Sequence, residues 1–441
     1  MKPGMALQLI HDPTMASLLA VSLTAVMLLI AAVNRCRRRK PPLSPSPRSL
    51  PVIGHLHLVR PPVHRTFPLV HIRLGSTHCV VASSPRVAAE LIRTHEGKIP
   101  ERPLTARFMK RLCMSELLGP ARTINQLRPV RRAGLVSLLQ SVLHHATSSS
   151  VEVMDLTAAL IRLSNTSIMR MMANTVPESV LEEAKALVKS MAELVDAFNV
   201  ENYAALCRGW DLQGLGRRSA NVHCRFDALL EDMMMHKQEA HEARRRHGEG
   251  EGEPLESSND LLDIMLDKMK DDPVGEVKLT REKIKAFVMD VVTAGSDTAA
   301  VMIEWMLAEL MNHPECVCKV REEIDAVVGR ERIADEGDVA NLPYLQAMYK
   351  ETLRLRPAAP ILHRQSTEQM EIAASGGFTV PADTAVLINL WSIGRHPAHW
   401  DAPLEFRPER FMAGGCGRAA VRAGSCDRAR AVLRLGHDHS R

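Results

Sequence analysis

No C-x-x-C pair occurs among the nine cysteines of this 441-residue chain, and no Cys/His set has zinc-binding spacing. The thiols stand scattered at 36, 79, 113, 207, 224, 316, 318, 416 and 426. An odd, unpatterned count in a long chain excludes a disulfide scaffold and reads as reduced thiols on the cytosolic side. No internal repeat occurs, and the body of the chain carries no net basic charge. The cluster Arg35, Arg37, Arg38, Arg39, Lys40 equals the whole net charge of +5, and the last 29 residues add six Arg against two Asp. What lies between is net acidic, which removes nucleic acid as a partner. The composition that remains, 46% hydrophobic and 24% charged, is that of a globular protein with a large core. Length suggests about three ordinary domains or one large one.

Met15 to Val33 is a run of nineteen residues without a charge. As a helix it spans about 28 Å, close to the thickness of the bilayer hydrocarbon. The basic cluster follows it directly, whereas a cleaved signal peptide carries its basic residues in front. The positive-inside rule then keeps everything downstream in the cytosol. Residues 1–34 therefore read as a membrane anchor. Residues 35–54 read as a basic and Pro-rich hinge, with Pro41-Pro42-Leu43-Ser44-Pro45-Ser46-Pro47 too dense in proline to be helical. A body held at a membrane surface meets apolar substrates there.

In the body, Val70 to Leu74 alternates, Gly75-Ser76 interrupts, and Cys79 to Ala82 resumes, which predicts strand, turn and strand. Ser84-Pro85 predicts a helix start with a cap residue and proline at the first position. Val151 to Met235 has helical periodicity broken at Gly214-Leu215-Gly216, and His241 to Asn259 reads as a charged, exposed loop. Further strands are predicted between Phe378 and Leu390. The fold class is mainly α with small β-sheets.

Three features could carry chemistry. Thr280 to Asn312 predicts a helix of about 48 Å, enough to cross a domain. Its apolar middle is interrupted by Thr293-Ala294-Gly295-Ser296-Asp297-Thr298. Glycine costs about 1 kcal/mol there against alanine, and buried Asp and Ser need partners. The plain reading is a satisfied polar patch in a core helix. The functional reading is a notch, where Gly295 admits a ligand to the backbone while Asp297 and Thr298 relay protons. Glu351 and Arg354 share a helix face and can pair. By itself that spacing says little, since Glu90-Leu91-Ile92-Arg93 repeats it and reads as solvated. Phe406-Arg407-Pro408-Glu409-Arg410-Phe411 is a proline-punctuated loop whose Arg410 could bring a second cation to Glu351.

Taken in order, these motifs resemble the plant microsomal cytochromes P450, haem-thiolate monooxygenases. Arg107 to Arg132 and Asp290 to Pro314 are most similar to the flavone synthase, flavanone hydroxylase and isoflavone synthase branch. The resemblance spans the anchor to about Met412, so residues 55–412 would form the catalytic domain. It implies haem, oxygen, electrons from NADPH-cytochrome P450 reductase, and a seat on the endoplasmic reticulum membrane facing the cytosol. By resemblance, Asp297 and Thr298 deliver protons, Ala294 and Gly295 line the oxygen groove, and Lys110 and Arg364 meet haem propionates. Glu351, Arg354 and Arg410 lock the core. Ala358 to Leu362 and parts of Phe198 to Trp210 face substrate, a flavanone or related phenylpropanoid.

The chain also departs from that family. Segments near 67–70 and 105–107 are short, and Ala106 stands where a tryptophan is expected. After Met412 the family's Phe-x-x-Gly-x-Arg-x-Cys-x-Gly, source of the iron's thiolate, does not occur. Cys416 follows Phe411 too closely, and Cys426 lacks the surrounding Phe and Gly, so neither is expected to ligate iron. Residues 413–441 hold no Lys, Glu or aromatic and read as a foreign tail from truncation or a frame shift. Two functions compete: a flavanone-type monooxygenase, inactive as written, and a non-enzymatic anchored remnant.

Overall fold

The computed structural model describes residues 46, 69–75, 77–98, 128–147, 153–173, 176–197, 199–202, 209–246, 260–270 and 279–412. The anchor, the hinge (Ser46 excepted), Lys110, Ala106, Cys416 and Cys426 lie outside them, as does most of Phe198 to Trp210.

The fold is mostly helical with two small sheets. Strands β1 (Leu69–Leu74) and β2 (Thr77–Ala82) form the expected hairpin. Two more strands, β3 (Ile361–Gln365) and β4 (Met370–Ile372), precede β5 (Phe378–Val380) and β6 (Ala385–Asn389). The larger sheet runs β1-β2-β6-β3, with β2 and β6 parallel and the other pairs antiparallel. β4 and β5 pair separately. Of these four, only β5 and β6 fall where further strands are predicted. β3 has five residues and β4 three, and each mixes apolar with polar residues, so no apolar run marks them.

Helix α1 (Pro85–Thr94) begins where Ser84-Pro85 predicts, although the Ser84 side chain makes no capping bond. Its Val87, Ala88 and Leu91 pack on Leu69, Val80, Val386 and Ile388 of the sheet. Glu90, read as solvated, instead accepts bonds from the backbone nitrogens of Ala373 (2.8 Å) and Ala374 (2.6 Å). It caps a short turn far away in sequence.

Helix α2 (Arg128–Thr147) buries no residue. The periodic stretch that follows resolves into α3 (Leu156–Met172), α4 (Glu178–Asp196) and α5 (Leu215–Arg246). The first break is at Pro177, which removes a helical N–H. At the other end α5 continues through Glu242-Ala243-Arg244-Arg245-Arg246, correcting the loop expected from His241, since these are good helix formers up to Gly248.

Helix α6 (Leu261–Lys270) and the 32-residue α7 (Arg281–Asn312) complete the main core. There Met169, Leu187, Phe226, Leu230, Met265, Ile284 and Val288 are mutually buried. Among the described residues only α7 is long and apolar enough to cross a membrane. Its Ile284, Val288, Val292, Ser296 and Ala300, four apart, are all buried, which is the stripe of a core helix. Helices α8 (Pro314–Val327), α9 (Pro343–Leu355) and the short α10 (Leu390–Gly394) then lead to the turn at Pro408–Phe411.

Candidate active site

Helix α7 starts as its sequence predicts. The Thr280 hydroxyl accepts from the Lys283 nitrogen, and the helix ends at Asn312, before Pro314. In its middle the polar residues divide between two faces. Ser296 is fully buried, donating to the Val292 carbonyl (2.6 Å) and accepting from the Asn165 side chain of α3 (3.3 Å). Ser164 donates to the Gly295 carbonyl at 2.9 Å. A Cβ added to Gly295 would lie 2.5 Å from Cδ1 of Ile168. On that side Gly295 therefore admits α3, where the sequence reading gave the space to a ligand.

The opposite side carries the candidate chemistry. Ala294 is exposed, and the Thr298 hydroxyl donates to its carbonyl at 2.9 Å. Asp297 is half-buried, and burial alone raises its pKa above the ordinary carboxylate value. The folded pKa exceeds the unfolded one, so this group favours folding while protonated and loses that contribution as pH rises through the folded pKa. Asp297→Asn should therefore raise Tm near neutral pH, with the gain vanishing below about pH 4, where the parent is protonated as well. Thermal melts across that range check it; an equal gain at both ends would remove the carboxylate as the cause.

Arg364 lies on β3, half-exposed, with Nη1 donating to the His363 carbonyl at 2.9 Å. The segment before it leaves Ala359, Pro360 and Ile361 exposed.

Glu351, Arg354 and Arg410 are brought together and buried. Both Glu351 oxygens accept from Arg354, through Nε and Nη2, at 2.7 Å each. Oε1 also accepts from Arg410 Nε (3.2 Å) and the Arg407 backbone nitrogen (2.9 Å). Nη1 of Arg354 reaches the carbonyls of Gly394 (2.6 Å) and Pro403 (2.7 Å), and Nη2 reaches that of Glu405 (3.0 Å). Its guanidinium lies 5.1 Å from the centre of the Trp400 ring. Two cations share one carboxylate, and backbone carbonyls take up the remaining donors, which makes such a buried cluster tolerable. Sequence reasoning missed Gly394 and Trp400. A Cβ at Gly394 would strike the Arg354 carbonyl, a backbone approach that only the fold reveals.

The cytochrome P450 family profile matches residues 94–415, which include α7, the Glu351 cluster and the turn at Pro408. The chain belongs to the cytochrome P450 family. Cytochrome P450 93G1 of Oryza sativa subsp. japonica is 65% identical over 415 residues, covering 88% of this chain and 77% of its own. A 3,9-dihydroxypterocarpan 6A-monooxygenase of Glycine max is 39% identical over 421 residues, covering 88% and 80%. A zebra fish cytochrome P450 solved with progesterone superposes with a TM-score of 0.64 at 23% identity, over 85% of this chain and 89% of that one.

Haem is the cofactor of this cytochrome P450 family, so the donors present can be tested against it. Among the described residues no group of His, Cys, Asp or Glu is arranged to hold a metal ion. Burial pushes the Cys79 thiol up to about 11 and also raises Cys316, which keeps both protonated near neutrality. Cys316 and Cys318 lie past the end of α7, and Asn312 is already about 21 Å from Thr298 at helical rise. Cys224 is exposed on α5. The described cysteines do not fit a thiolate ligand at the notch.

Proposed function

We propose that this chain has the architecture of an endoplasmic-reticulum-anchored monooxygenase for flavanones or related phenylpropanoids, and that as written it does not turn over. One observation carries the second half. The iron-ligand motif is missing after Met412, and no described thiol stands in for it. The first half is supported by the local likeness of Arg107 to Arg132 and Asp290 to Pro314 to flavonoid-oxidising members. The dihydroxypterocarpan named for the Glycine max relative, a fused-ring phenol, points the same way. Met15 to Val33 and the basic cluster behind it support the anchor, with the reductase as electron donor.

In this reading the chain contributes, at the α7 notch, a carboxyl that takes a proton readily and a hydroxyl one residue on. Asp297, its pKa raised by burial, is the group proposed to take up and pass on a proton, and Thr298 Oγ1 is oriented by the Ala294 carbonyl. Lys110 and Arg364 are the proposed propionate partners, and Ala358 to Leu362 the substrate-facing loop.

Expression with a haem precursor should give no thiolate-type carbon monoxide band. The same band in the parent, lost in Cys416→Ser, Cys426→Ser, would show that the tail ligates iron. A chain repaired with a complete ligand loop should oxidise flavanones; turnover confined to terpenes or fatty acids would overturn the substrate class.

A further inference from the structure

A cavity of about 550 Å³ opens between the end of α7, α9, α10 and the turn before Pro408, away from the Asp297–Thr298 notch. Its apolar walls are Trp391, Phe406, Leu355 and Leu404. Each carboxylate in the lining has a base beside it. Glu309 pairs with Arg356 (3.0 Å) and has His313 at 3.8 Å. Glu315 has His313 at 3.2 Å, and Glu405 has Arg407 at 3.9 Å.

Arg395 is different. It lines the same cavity and has no carboxylate partner among the described residues. Its guanidinium lies 4.3 Å from the centre of the Trp391 ring, and Nη1 makes one long bond to the Trp391 carbonyl (3.4 Å). Burial lowers its pKa to about 10, with Arg356 and Arg354 adding to the effect and Glu309, engaged by Arg356 and without a direct bond to Arg395, opposing it. A guanidinium presents five donors in a planar fork matched to a carboxylate, and leaving them unused in a partly desolvated site is costly. The aromatic walls beside that fork suit a flat ring.

We propose that this cavity binds a small planar aromatic carboxylate, with the acid group on Arg395 and the ring between Trp391 and Phe406. Its lining shares no residue with those proposed above for proton delivery, haem contact or substrate.

The test is a calorimetric and tryptophan-fluorescence titration of the full chain in detergent, using benzoate as the probe. Saturable binding is expected. Arg395→Gln should weaken it on the order of 10- to 100-fold, the loss of one charge-assisted hydrogen-bonded pair. Arg395→Lys, which keeps the charge without the fork, should fall between, and its melting curve shows whether the fold is retained. The neutral isostere benzamide should bind no better than Arg395→Gln binds benzoate. Absence of saturable benzoate binding, equal binding by parent and Arg395→Gln, or equal binding of benzamide would each overturn the proposal. Inorganic phosphate as potent as benzoate would overturn its aromatic half.

Discussion

Glu351→Ala should be the most destabilising single substitution in the described chain, costing about 3–5 kcal/mol or more. It leaves Arg354 and Arg410, both buried, without their shared anion, and frees the Arg407 nitrogen. Against a total stability of about 5–15 kcal/mol, that loss should collapse the soluble yield. Glu351→Gln keeps the shape and one acceptor oxygen, so it should fall between alanine and the parent. Urea midpoints for the three proteins provide the check. An alanine variant within about 0.5 kcal/mol of the parent, the ordinary surface effect, would mean that the cluster is not a buried ionic lock.

The second large effect is expected at Lys237. Its ammonium on α5 contacts the Asp260 carboxylate closely and lies 3.3 Å from that of Asp263, whose side chains are 0% and 3% exposed. The two aspartates also cap each other's backbone nitrogens at the start of α6, at 3.0 and 3.3 Å. Lys237→Met fills a similar volume but removes the Lys237 ammonium from two buried carboxylates, a loss of about 3 kcal/mol. Because the damage begins at one helix start, amides of Leu261–Lys270 should lose exchange protection before those of α7. Lys237→Arg should recover part of it. Uniform loss across both helices would show that the lysine supports the whole core.

How much of this could be read beforehand depended on where the information lies. The limits of α7 were legible because Thr280 caps one end and Pro314 closes the other, both local signals. The first hairpin was legible from alternation about Gly75. Glu351 and Arg354 were legible as a spacing only. What makes them a core is a set of carbonyls from Gly394, Pro403 and Glu405, and a carbonyl has no sequence signature. Glu90 misled for the same reason, its acceptors' donors being backbone nitrogens about 283 positions away. In the notch, Asp297 and Thr298 could be singled out by polarity, but only the packing separates them from Ser296 and Gly295, which belong to the contact with α3.

The parallel pairing of β2 with β6 has a consequence in time. Thr77–Ala82 emerges from the ribosome long before Ala385–Asn389 is made, and about 300 residues of synthesis separate them. At 5–20 residues per second the wait is about 15–60 s. Throughout it the hairpin edge that β6 will cover has no native partner, since among the described residues no strand between β2 and β6 pairs with β2. Translation speed therefore sets the earliest time at which this sheet can close, and a pause anywhere between the two strands lengthens the interval in which that edge is exposed.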